Sequence, residues 1–137
     1  MSKMPDPSTP AIPSHPVELR DKANLAAKFA AIDGLWRPRI VAELNGQHVK
    51  LAKVLGDFPW HHHVTEDELF LVVSGRLLLR FRGREIWLEP GELIVVPRGV
   101  EHAPFAEVET QIVLFEPAST VNTGTESSER TFIPEWV

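Results

Sequence analysis

The sequence predicts an all-β barrel or sandwich that carries one N-terminal helix. Short stretches of strand character follow one another from Trp36 to Glu116. Turn residues separate them at roughly eight- to twelve-residue intervals, the spacing of an antiparallel β fold. Only one segment has helical periodicity, and it precedes the first strand. A chain of 137 residues suits one domain around one core.

The elements follow in order. Residues 1–16 hold five prolines and read as an N-terminal arm, with a solvated His15. Residues 17–34 are expected to form the helix. Leu25, Phe29 and Ile32 recur at spacings of four and three, and Asp33-Gly34 ends the segment with a glycine suited to a left-handed cap. The barrel is expected over residues 35–117. Asn45-Gly46 favours a type I′ turn and joins Arg39–Leu44 to Gln47–Leu55 as a hairpin. Further strands are expected at Phe58–Val64, Glu68–Ser74, Arg76–Phe81, Arg84–Leu88, Leu93–Val96, His102–Glu107 and Thr110–Glu116. Two of these, around Leu69–Val73 and Leu93–Val96, are apolar on both faces, so they should be covered on the outside as well as the inside. The helix can cover part, and a second copy of the chain is the other candidate. Residues 118–137 turn polar and read as a tail, although Phe132, Ile133 and Trp136 bring back apolar surface that needs a partner.

Composition narrows the function. A formal charge of −5, with basic residues scattered along the chain, argues against nucleic acid as a partner. Arg76, Arg80, Arg82 and Arg84 are interrupted by leucines and read as a solvated strand face. No apolar run is long enough for a membrane span, and no secretory h-region is present, so the expected compartment is the cytoplasm. There is no cysteine, which rules out thiolate ligands and disulfides.

Two blocks carry chemistry. The first is His61-x-His63-x4-Glu68-x6-Gly75, and the second is Gly91-x5-Pro97-x-Gly99-x2-His102. Residues two apart on a strand share a face, so His61 and His63 should point together and His62 away. A break at Thr65–Asp67 lets Glu68 return to the same side, and His102 joins from a later strand. Three imidazoles and a carboxylate suit one divalent transition metal, Fe(II), Mn(II), Ni(II), Zn(II) or Cu(II), with a position left for water or substrate. Taken singly, each residue has a plainer explanation as a solvated or packed side chain. It is the combination that points to a metal site at His61, His63, Glu68 and His102. His48 reads as an ordinary strand histidine, and Glu66 and Asp67 as turn carboxylates. Trp60, Phe70, Trp87 and Phe105 are candidates either for a pocket wall or for the core. No phosphate loop and no Ser-His-Asp arrangement is visible.

The two blocks resemble the signature motifs of the cupins, small double-stranded β-helix (jelly-roll) barrels. His61, His63, Glu68, Gly75, Gly91, Pro97, Gly99 and His102 match. Gly56 stands one residue closer to His61 than the usual spacing, and Ala106 replaces the final asparagine of the second motif. A narrower likeness runs through WHHHVTEDELFLVVSG, VPRGVEHAPFAE and FEPASTVNTG, which resemble single-domain bacterial cupins labelled mannose-6-phosphate isomerase-like. The resemblance implies a metal site on the four named residues. It also implies a metal-dependent enzyme, isomerase-like or dioxygenase-like, acting on a small polar or carbonyl-containing molecule, and a homodimer. The alternative is a non-catalytic cupin that binds or senses a small molecule or the metal. No residue identifies itself from sequence as a general base beside the metal.

Overall fold

A tight hairpin opens the β region of the computed structural model, which describes residues 12–137. Strands β1 (Arg39–Leu44) and β2 (Gln47–Asp57) pair across Asn45-Gly46, both at positive φ, as the turn type requires. The remaining strands are β3 (Glu68–Ser74), β4 (Leu77–Phe81), β5 (Arg84–Leu88), β6 (Leu93–Val96), β7 (His102–Pro117) and β8 (Glu135–Trp136). β7 organises the barrel. Its first part pairs with β4, which pairs with β5. Its second part pairs with β3, which pairs with β6. β2 runs antiparallel along its other edge from Gln47 to Asp57. Alternate residues of these strands, among them Ala52, Val54, Phe70, Val72, Leu77, Leu79, Ile112 and Leu114, point inward to one core. Gly75 sits at φ +88° where the chain turns from β3 to β4. A Cβ there would collide with the Thr110 hydroxyl and lie 2.9 Å from the Thr110 Cα, so only glycine fits.

Several segments differ from the sequence expectation. The helix, α1, spans only Leu25–Ala30. Asn24 caps it by accepting a hydrogen bond from the Ala27 N–H at 2.9 Å. The expected first turns at 17–24 are not helical. Val17 and Leu19 are exposed there, so no apolar face is available to stabilise a longer helix. Phe29 and Ile32 pack on Leu51 and Val113, on the outside of the sheet. Phe58–Val64 is not a strand apart from one bridge, His61 to His102, because Pro59 offers no N–H to a ladder. The two strands expected at 102–107 and 110–116 form one bent strand, with its register shift opposite Val54–Gly56.

The C-terminal segment is not a loose tail. Thr120 and Thr123 are buried, and Asn122 gives and takes hydrogen bonds with Arg130 O and Phe132 N–H. Gly124 lies so close to the His62 carbonyl that a Cβ would collide with it. β8 then pairs in parallel with β1. Of the expected arm at 1–16, residues 1–11 lie outside the described residues. Among the described residues, no helix is long and apolar enough to cross a membrane.

Candidate metal centre

His61, His63, Glu68 and His102 meet inside the barrel, and all four are buried. One nitrogen or oxygen from each lies within 4.8 Å of the others. Two ligands about 2.2 Å from a shared ion lie about 3.1–4.4 Å apart, so the cluster is somewhat looser than a closed single-ion site. Backbone bonds set this convergence. His61 and His102 exchange reciprocal N–H···O=C bonds of 3.0 and 2.9 Å, which place their rings side by side with centroids 4.2 Å apart. The Gly99 N–H donates to the His63 carbonyl at 2.7 Å, tying the second block to the first. Glu68 opens β3 on its inward face, ahead of Phe70 and Val72. His62 stands outside the cluster.

The ring protonation fits a cation. His61 Nδ1 lies 2.9 Å from the Pro59 carbonyl and His102 Nδ1 lies 2.9 Å from that of Val100. A carbonyl only accepts, so both Nδ1 atoms carry hydrogen, and in a neutral ring Nε2 is left as a lone pair. His102 Nε2 faces Glu68 Oε1 at 3.2 Å. His63 Nε2 lies 3.3 Å from the same oxygen without a hydrogen bond, and neither of its ring nitrogens has a hydrogen-bonding partner. Buried lone pairs facing a carboxylate need a positive centre between them, a proton or a metal ion. Burial, reinforced by the neighbouring His102, pushes His61 down to about 4, so this ring stays neutral and able to bind metal. Burial would raise the Glu68 carboxyl, but polar contacts with His102, His63 and Glu116 outweigh it and hold the group well below the usual range. The donor set therefore fits a divalent ion.

The cluster forms part of the wall of a cavity of about 40 Å³. His61 and Glu68 line it together with Trp36, Phe58, Phe70 and Glu116. Of the four aromatic candidates from the sequence, only Phe70 reaches this cavity. Trp60, Trp87 and Phe105 lie under the guanidinium groups of Arg82, Arg76 and Arg80. Those arginines also meet Glu101, Glu89 and Asp57 on the surface, in keeping with a solvated face. Asp67 accepts from Arg98, which holds its carboxyl below the usual range, and Glu66 accepts from the Thr65 hydroxyl. Neither touches a cluster histidine. His48 lies 3.7 Å from Glu43 and outside the cluster.

Sequence reasoning missed Lys50 and Glu116, which form a buried ion pair at 3.0 Å. Burial, followed by the charge of Glu68, pushes the Glu116 carboxyl well above the usual range. A signal existed: each breaks the apolar pattern of an inward face, Lys50 beside Ala52 and Val54, Glu116 beside Ile112 and Leu114.

A small antiparallel barrel with a buried three-histidine, one-carboxylate cluster beside an internal cavity defines a class of β-barrels able to hold a metal ion. Within it, residues 47–116 match the profile of the Cupin domain, and the chain belongs to the cupin family. A crystal structure of a cupin-2 domain containing protein from Shewanella frigidimarina is 44% identical, with a TM-score of 0.68, covering 69% of this chain and 93% of that one. The Bacillus subtilis protein YdbB is 37% identical over 71 residues, covering 51% of this chain and 63% of the relative. An acireductone dioxygenase from Bacillus licheniformis is 36% identical over 67 residues, covering 45% of this chain and 37% of the enzyme. The chain thus spans less than two thirds of the curated relatives it matches.

Proposed function

We propose that His61, His63, Glu68 and His102 hold one divalent transition ion, and that the protein is a metal-dependent, dioxygenase-like enzyme acting on a small carbonyl-containing molecule. The observation that carries this reading is the convergence of four buried donors, two of which, His61 and Glu68, line a mostly apolar cavity. Such a cavity excludes water and strengthens polar contacts inside it. When bound, the ion would supply Lewis-acid or oxygen-activating chemistry to a substrate oxygen. The chain's own contribution is to keep His61 and His102 in one tautomer through the Pro59 and Val100 carbonyls. Glu68 adds one negative charge to the ligand set, and Trp36, Phe58 and Phe70 confine the substrate. Similarity to acireductone dioxygenases supports dioxygenase-like chemistry; the isomerase-like reading is the alternative.

We further propose a homodimer formed through the outer face of β3 and β6. Leu93 is 57% exposed and Val95 49% exposed there, next to a half-exposed Val73.

The test is elemental analysis of the purified protein, followed by oxygen uptake with small enediols and keto acids in Fe(II), Mn(II), Ni(II) and Zn(II) forms. Glu68→Gln keeps the shape and removes the charge. It should cut turnover at least tenfold, well beyond its effect on substrate binding. Metal affinity and ligand affinity falling together, with no turnover in any form, would favour the non-catalytic binder.

A further inference from the structure

We propose that Asn122–Glu126, in the segment after β7, is a gate between a surface pocket and the metal cavity, which swings away from His62 to admit the ion and the small molecule. The proposal rests on the metal-centre reading above.

None of the four donors is more than 4% exposed, so part of the structure must move before a solute reaches them. His61 stands between two hollows. On the inside it lines the cavity of about 40 Å³, together with Asn122. On the outside it lines a surface pocket of about 320 Å³, together with Trp60, His62, Gly99, Glu101 and Glu126. The segment thus gives one residue to each hollow. Gly124, midway between those two, lies against the His62 carbonyl. A Cβ at this position would collide with that oxygen, so glycine at φ +64° permits the close approach that completes the partition.

The way the segment is held suits a moving part. Its ends are fixed, at β7 on one side and on the other by β8, which pairs with β1. The Val137 N–H also donates to the Ile40 carbonyl at 3.0 Å. Its middle is bonded to itself, Asn122 to Arg130 and Phe132, and Thr123 to Thr131, and these bonds can travel with it. Among the described residues, the backbone bond from this middle part to the barrel runs from the Thr125 N–H to the His62 carbonyl. At 3.3 Å it is longer than the usual range of about 2.7–3.2 Å. Water can replace it on both groups when the segment lifts, so opening requires no unfolding of the barrel. Loop openings of this kind take on the order of microseconds to milliseconds.

The chain has no cysteine, so a single reversible cross-link can be placed across the gate. His62→Cys/Thr125→Cys puts a thiol on each side of the Thr125–His62 bond, where the backbones are close enough for a disulfide. The full-length double variant is loaded with Ni(II), and loss of the ion to excess chelator is timed with the disulfide oxidised and again after reduction by a phosphine. The oxidised form is expected to release Ni(II) roughly tenfold more slowly than the reduced form, with the native protein indifferent to reductant. Gly124→Ala, which cannot rest against the His62 carbonyl, should release the ion roughly fivefold faster than the native protein with an unchanged urea midpoint, and it carries the test if the cross-linked variant does not form. Equal release from the oxidised and reduced forms, or from Gly124→Ala and the native protein, would overturn the gate while leaving the metal centre standing. A faster release that tracks a fall in the urea midpoint would assign the loss to unfolding of the barrel and also overturn the gate. If the native protein retains no Ni(II), the metal-centre reading falls, and the gate with it.

Discussion

Acid should destabilise the metal-free protein through His61, and the size of the effect follows from its burial. The ring is held at about 4 in the folded chain, against 6.5 when exposed. Between these values the unfolded chain takes up a proton that the folded chain refuses, so each unit of acidification favours unfolding by about 1.4 kcal/mol. The contribution is fully present above pH 6.5 and declines as the pH falls toward 4, by about 3 kcal/mol in all. Glu116 works in the opposite sense. Its carboxyl is held above the ordinary range, so the stability it contributes falls as the pH rises, and the total curve partly hides the histidine. The difference between native protein and His61→Gln isolates the effect. Urea unfolding followed by tryptophan fluorescence, in chelator at pH 7.5, 6, 5 and 4, should show the native protein's advantage shrinking by about 3 kcal/mol. An advantage constant to within about 0.5 kcal/mol over that range would refute the assignment of a neutral, buried His61.

Three further outcomes are expected. Gly75→Ala should cost at least about 1–3 kcal/mol in urea unfolding, because it places a Cβ against Thr110 at φ +88°. A divalent ion at one hundred times its dissociation constant should stabilise the fold by about 2.7 kcal/mol, and chelator should reverse this, as read from melting curves. Leu93→Glu, placed among the exposed apolar residues of β3 and β6, should convert a dimer to a monomer in light scattering with little change in the melting temperature of the monomer.

Much of the barrel is legible in the sequence because strand period and turn chemistry are local properties. Asn45-Gly46 sets the first hairpin, and Arg84–Leu88 and Leu93–Val96 begin and end where their flanking glycines and prolines indicate. The four donor residues are legible for a different reason: unusual residue types at fixed spacings stand out even where the expected strand does not form, as at His61 and His63. The buried Lys50–Glu116 pair is not legible in the same way. A single strand does not disclose which of its faces is the inner one, so Lys50 and Glu116 look like solvated charges until β2 and β7 are paired. Composition misleads at 118–137 for a related reason. The segment is polar, yet its polar groups serve each other, Asn122 with Arg130 and Phe132, and Thr123 with Thr131 at 2.7 Å. The helix is overestimated because propensity extends it to residues that have nothing to pack against.

The reciprocal bonds between His61 and His102 also bear on folding kinetics. They join the segment before β3 to the start of β7, and Gly99 to His63 closes the same long loop a second time. His61 and His63 are neighbours in the chain, with ring centroids 5.1 Å apart, whereas His102 joins them only from a strand more than thirty residues away. The complete four-residue set therefore forms only when the start of β7 has met the segment before β3. An ion that needs all four side chains would act on the assembled barrel and slow its opening, unlike the metal of a zinc finger, around which the chain folds.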